Sequence, residues 1–108
     1  MKSLLLGIND PVMKLDMLMD IGRGLPPIPA GAAGAEIKGC ASRVEIWRDG
    51  AGRFYGAADS LIVRGIVAVL LAMKEAGAEF AEFPALGLNL GAARLNGTAS
   101  MIAYLENL

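Results

Sequence analysis

The stretch Ile37-Lys38-Gly39-Cys40-Ala41-Ser42-Arg43-Val44-Glu45-Ile46-Trp47-Arg48-Asp49-Gly50-Ala51-Gly52-Arg53-Phe54-Tyr55-Gly56 decides the fold. Its middle alternates, with Val44 and Ile46 on one face and Glu45 and Trp47 on the other, as a half-buried strand does. Asp49-Gly50, followed by Ala51-Gly52, is a hairpin signal, and Arg53-Phe54-Tyr55-Gly56 returns as the partner strand. Upstream, Ala35 to Lys38 is a short strand candidate. The spacing thus predicts strands near 35–38, 43–48 and 53–57. Two hairpins in succession make a three-stranded antiparallel sheet, with Cys40 in the connection between its first two strands.

Helical signals surround this sheet. Asp59 is a candidate N-cap, and the chain from Leu61 through Glu75 is almost wholly apolar. Ile62-Val63 and Ile66-Val67-Ala68-Val69 carry β-propensity. The length of the run, its cap, Leu70-Leu71-Ala72-Met73, and terminal Lys74 and Gly77 select a helix over 60–76. A helix apolar on every face is a central one. Arg64 and Gly65 interrupt its apolar surface. Glycine within a helix costs about 1 kcal/mol against alanine, so close packing is the expected reason for Gly65.

Upstream of the sheet, Asp10 and Pro11 open a helix predicted over 11–21. Val12, Leu15, Leu18, Met19 and Ile21 form its apolar side. Gly22, Gly24 and Leu25-Pro26-Pro27-Ile28-Pro29 end it. Its methionines suit core packing, with a partner groove as the other reading. Residues 30–35 are small and read as a surface loop. Downstream, Ala78 to Phe83 reads as a short helix stopped by Pro84, and Leu86-Gly87-Leu88 as a turn. A last helix is predicted over 92–107, with Leu95, Ala99, Ile102 and Leu105 or Glu106 as its apolar stripe. Arg94 lies near its start, where the helix dipole disfavours a cation, so it points to an anionic partner or to solvent. The predicted class is α+β, a single domain over 1–108 with a small sheet packed against helices.

Composition excludes several functions. Hydrophobic residues make up 55% of the 108, which is the composition of a globular chain and not a disordered one. Ten basic and 11 acidic residues give a net charge of −1, with no basic run, and aromatic residues are 6%. The electrostatic footprint and stacking platforms of a nucleic-acid binder are therefore missing. One cysteine and no histidine leave no disulfide framework, no ordinary zinc ligand set and no histidine base for a cysteine hydrolase. Met1 to Ile8 has the look of a signal-peptide start, but the apolar run stops at Asn9-Asp10-Pro11, so none is expected. Ile66 to Met73 falls well short of a membrane span. A cytoplasmic protein is expected.

Cys40, the only cysteine, is the strongest candidate for covalent chemistry. Gly39 lets another molecule approach closely, Ala41 and Ser42 are small, and Lys38 and Arg43 flank the thiol. Cations favour the thiolate, which is the nucleophile. A small buried hydrophobe is the alternative reading on these residues alone.

Four segments, in order, resemble the SufE family, the sulfur-acceptor proteins of iron–sulfur cluster assembly. They are Ile21-Gly22-Arg23-Gly24-Leu25-Pro26; Ile37-Lys38-Gly39-Cys40-Ala41-Ser42-Arg43-Val44; Asp59-Ser60 with the run Leu61 to Leu71, which holds Ile62-Val63-Arg64-Gly65; and Leu86-Gly87-Leu88 with Arg94-Leu95-Asn96-Gly97. Together they span most of the chain. The family's pattern differs at Glu45, where a tryptophan is usual, at Leu61, and at Asn89-Leu90-Gly91-Ala92-Ala93, where a histidine-bearing segment is usual.

The resemblance implies a SufE/IscU-like α+β fold and a sulfur relay. Cys40 would accept persulfide sulfur from a SufS-type cysteine desulfurase and hand it to a SufBCD-type scaffold. Gly39, Ser42, Lys38, Arg43, Asp59, Arg64 and Arg94 would support it. The chain would be an accessory protein, not an enzyme, and a monomer or homodimer. It would hold no cofactor, since pyridoxal phosphate belongs to the desulfurase. A binding module that activates the desulfurase without carrying sulfur is the alternative. An IscU-type scaffold is disfavoured, because clusters are held mostly by several cysteine thiolates.

Overall fold

The computed structural model describes residues 10–37, 43–81, 83 and 92–107. Their order is α1 (Pro11–Arg23), β1 (Ala33–Glu36), β2 (Val44–Arg48), β3 (Phe54–Ala58), α2 (Leu61–Ala76) and α3 (Ala92–Glu106). The strands form one antiparallel sheet in the order β1-β2-β3. The α+β class and the three strands expected from the sequence are both present.

α1 starts as its sequence dictates. The Asp10 carboxylate accepts a hydrogen bond from the Val12 N–H at 2.9 Å, and Pro11 occupies the first turn, where its missing donor costs nothing. The helix runs two residues past the expected end, to Arg23, and Gly24 caps it. Leu18 is fully buried, whereas Val12, expected on the apolar side, is 66% exposed. Met13, beside it in the same turn, is also exposed.

α2 is the central element, buried at Val63, Ile66, Val67, Val69, Leu70, Leu71 and Met73. Its N-cap is Ser60, not Asp59, and the Ser60 side chain makes no capping bond. Gly77 closes the other end at φ 71°, the left-handed conformation glycine adopts without strain. Gly65 has the steric role its sequence position suggested. A Cβ built on it would lie 2.7 Å from Leu18 Cγ and closer still to the Leu18 carbonyl oxygen. Across the same crossing, a Cβ on Gly22 would lie 2.6 Å from the Gly65 nitrogen. The two glycines let the backbones of α1 and α2 touch.

The sheet lays Val44 and Ile46 against α2 and turns Glu45 and Trp47 away. β2 pairs with β3 from Val44↔Ala58 to Arg48↔Phe54. β1 pairs with β2 from Ala33↔Arg48 to Glu36↔Glu45. β1 therefore begins two residues earlier than expected, inside the segment read as loop. Ala-Gly-Ala-Glu carries no strand pattern and is exposed throughout. Its pairing with β2 makes it a strand, and Gly34 admits it, since a Cβ there would lie 2.8 Å from Trp47 Cγ.

α3 buries Thr98, Met101 and Leu105. That stripe is rotated from the expected one, because Leu95 is 52% exposed and Ala99 and Glu106 also face solvent. Gly97 and Thr98 are buried on the inward face, small and polar residues that counting apolar positions does not pick out. Of the short helix expected over Ala78 to Phe83, Ala78 and Glu79 are irregular, and Phe80, Ala81 and Phe83 take 3-10 geometry. The expected turn at Leu86-Gly87-Leu88 lies outside the described residues.

Candidate functional site

The sheet has two ends of different construction. At one, residues 49–53 connect β2 to β3. Asp49 accepts from the N–H of Ala51 at 3.0 Å, from the N–H of Arg53 at 2.9 Å and from the Tyr55 hydroxyl at 3.2 Å. The Gly52 N–H reaches the Asp49 carbonyl at 3.1 Å, with Gly52 at φ 86°. The left-handed residue of this longer hairpin is thus Gly52, not Gly50. The Arg53 N–H, ahead of the remaining donors, holds the Asp49 carboxyl below its ordinary value.

At the other end lie Ile37 and Arg43, which bracket residues 38–42. Lys38, Gly39, Cys40 and Ser42 themselves fall outside the described residues. Ile37 is buried, and its N–H donates to the Val44 carbonyl at 2.8 Å, continuing the ladder past β1. The Asp59 N–H donates to the Arg43 carbonyl at 3.3 Å, and Val44 pairs with Ala58. The bracketing residues are therefore tied to the end of β3 and to the start of α2, where the positive end of the helix dipole lies.

Arg43 is exposed and not free. Its Nε lies 3.6 Å from a carboxylate oxygen of Glu36 and 3.6 Å from one of Glu45. Those two glutamates sit directly opposite each other across β1 and β2, where like charges repel, and the guanidinium beside them offsets that repulsion. The sequence marked Arg43 as a cation beside the cysteine, whereas the structure shows its charge shared by two carboxylates. Neither glutamate was a candidate site residue in the sequence. Glu45 was placed on the outer face by alternation, but Glu36 joins it only through the observed register.

Asp59 is exposed, and its carboxylate makes no ion pair among the described residues. Arg64, in the first turn of α2, is half-buried and lines a cavity of about 370 Å³ with Leu25, Pro26, Pro27, Ile28, Gly56, Ala57 and Ala58. Arg94 lies in the first turn of α3, and its side chain is outside the described residues. Arg43, Asp59 and the Arg64 cavity thus gather at one end of the sheet. Among the described residues no three His, Cys, Asp or Glu side chains are grouped to hold a metal ion, and no helix is long and apolar enough to cross a membrane.

This is a small α+β domain with its sole cysteine in the segment joining two paired strands. The model of the SufE family, described as the Fe-S metabolism associated domain, matches residues 2–108, and the chain belongs to that family. No curated protein matches it. Membership places the chain in iron–sulfur metabolism.

Proposed function

We propose that the protein is a sulfur carrier, which accepts persulfide sulfur on Cys40 from a cysteine desulfurase and passes it to an iron–sulfur assembly scaffold. The observation that carries this reading is a sole cysteine between two paired strands in a chain of the SufE family. The step is an exchange without net redox. The Cys40 thiolate attacks the terminal sulfur of the donor's cysteine persulfide, the donor's S–S bond breaks, and the donor cysteine leaves as thiolate. A new S–S bond then joins the transferred sulfur to Cys40. A second thiol in the chain would close a disulfide and discharge that sulfur, and none is present.

In this reading the desulfurase supplies pyridoxal phosphate, and this chain supplies the acceptor and the docking surface. It works in the cytoplasm, and transfer stimulates the desulfurase by clearing its persulfide. Arg94 positions the cysteine segment or the partner's surface, so a folded Arg94→Ala protein takes up sulfur more slowly. Gly39, Ser42, Lys38, Arg43 and Asp59 support the acceptor.

The test is mass spectrometry of the protein after incubation with a cysteine desulfurase and cysteine. The expected result is added sulfur on Cys40, lost in Cys40→Ser together with stimulation of the desulfurase. Stimulation that persists in Cys40→Ser, with an external thiol taking the sulfur, would replace the carrier with an allosteric activator.

A further inference from the structure

The Arg64 cavity has features that sulfur chemistry on Cys40 does not use. Four of the five described arginine side chains are occupied. Arg23 pairs with Asp20, Arg43 with Glu36 and Glu45, and Arg53 with Glu75, while Arg48 lies over the Phe54 ring at 5.2 Å. Arg64 alone among them has neither a carboxylate nor a ring partner among the described residues, and it is half-buried. A guanidinium in that position favours an incoming carboxylate, which it can hold through paired N–H donors.

The cavity is also lined by a sheet edge. Among the described residues β3 is the outermost strand on that side, and no described hydrogen bond uses its outer side. Gly56, Ala57 and Ala58 line the cavity with side chains no larger than methyl, so another backbone can reach that edge. Leu25-Pro26-Pro27-Ile28 lines the same cavity. Pro26 and Pro27 lack backbone N–H groups, so this segment is poorly suited to pair with β3 itself. The result is a mostly apolar groove in which, among the described residues, the outer edge of β3 and the Arg64 guanidinium have no partner.

We propose that this groove binds an extended acidic segment of the sulfur-donating partner, by main-chain pairing along β3 and a carboxylate on Arg64. Strand addition to an open edge is an established mode of peptide recognition, in which main-chain bonds give affinity and side-chain pockets give selectivity. The charge of Arg64 selects the partner's chemistry. The placement of Ala58 opposite Val44, next to Arg43, puts the docked segment at the end of the sheet that bears the cysteine segment. Naming the partner as the sulfur donor rests on the proposed function, whereas recognition of an acidic strand does not.

The experiment uses the full chain labelled with ¹⁵N, titrated with the peptide Ac-Val-Thr-Glu-Val-Thr-NH₂ and with its glutamine analogue. Amide shifts at Leu25, Ile28 and Gly56 to Ala58 are expected with the acidic peptide. The glutamine peptide, and separately the Arg64→Gln protein, should bind about five- to tenfold more weakly, the effect of losing one charge-assisted pair in a partly screened site. Equal affinity for the two peptides, shifts confined to another surface, or no shift at millimolar peptide would each overturn the proposal. The peptide comparison needs no protein variant, so misfolding of Arg64→Gln leaves it decisive. It also involves no sulfur transfer. A failed mass gain on Cys40 would therefore sink the carrier and leave strand recognition standing, and the reverse holds equally.

Discussion

The two ends of the sheet satisfy their polar groups in different ways. At the 49–53 end one carboxylate takes two donors from its own turn and a third from Tyr55 of the adjoining strand, so the hairpin closes on itself. At the 37/43 end the charges are divided among separate elements. Arg43 is shared by Glu36 and Glu45, the Asp59 carboxylate makes no described ion pair, and Arg64 waits in a groove. A self-satisfied turn has little to offer another molecule, whereas groups without a partner among the described residues, set around a strand edge, do. Conservative changes at the first end should therefore act on stability, and those at the second on recognition and chemistry.

Five changes test that division. Cys40→Ser has the largest expected effect, complete loss of sulfur uptake with an unchanged melting temperature. A lowered melting temperature would show that the cysteine segment also holds the fold. Next comes Gly56→Ala, midway between the ends. A Cβ there collides with Val67 Cγ1 and lies 3.4 Å from Leu71 Cδ1. Overpacking of this kind costs about 1–3 kcal/mol, read as a shift in the urea midpoint, and it should blur the two ends by loosening both. No shift would mean that β3 and α2 part without penalty.

The third change concerns the turn. The Asp49 carboxyl titrates below its ordinary value of 3.8, chiefly through the Arg53 N–H. A depressed carboxylate contributes stability that is present above its unfolded value and lost as pH falls through the folded one. Asp49→Asn, which keeps an acceptor oxygen and removes the titration, should thus flatten the fall in stability below about pH 4. Sulfur uptake at neutral pH should not change, and a loss there would erase the distinction between the ends.

The smallest effect is expected from Glu36→Gln with Glu45→Gln. Releasing Arg43 from two carboxylates should favour the Cys40 thiolate and speed its alkylation by iodoacetamide at pH 7. The gain should stay below about threefold, because exposed charges are screened. Lys38→Glu with Arg43→Glu should act in the opposite direction. Unchanged rates in both would show that the charges at this end serve docking and not the thiol.

Much of this architecture was legible residue by residue. Asp10-Pro11 and Gly77 mark helix ends through local backbone chemistry, and the alternation of Val44, Glu45, Ile46 and Trp47 sets the two faces of β2. The apolar run of α2 makes it central whatever packs around it. The pattern Gly39-Cys40-Ala41-Ser42 and its flanking segments pointed to the family that the whole-chain match shows.

Tertiary structure decided what local chemistry leaves open. Ala33–Glu36 has no strand pattern, and only its pairing with β2 gives it a register and brings Glu36 opposite Glu45. That register in turn determines where the charge of Arg43 goes. α3 presents Thr98, Met101 and Leu105 inward, a rotation set by what the helix packs on, which a count of apolar positions along one helix does not capture. The groove joins residues 25–28, 56–58 and 64, segments separate in the chain and adjacent only after folding. Caps and periodicity act over a few residues and can be read in order. Register, helix rotation and clefts depend on which distant backbones meet, and here glycines at 22, 34, 56 and 65 let them meet closely.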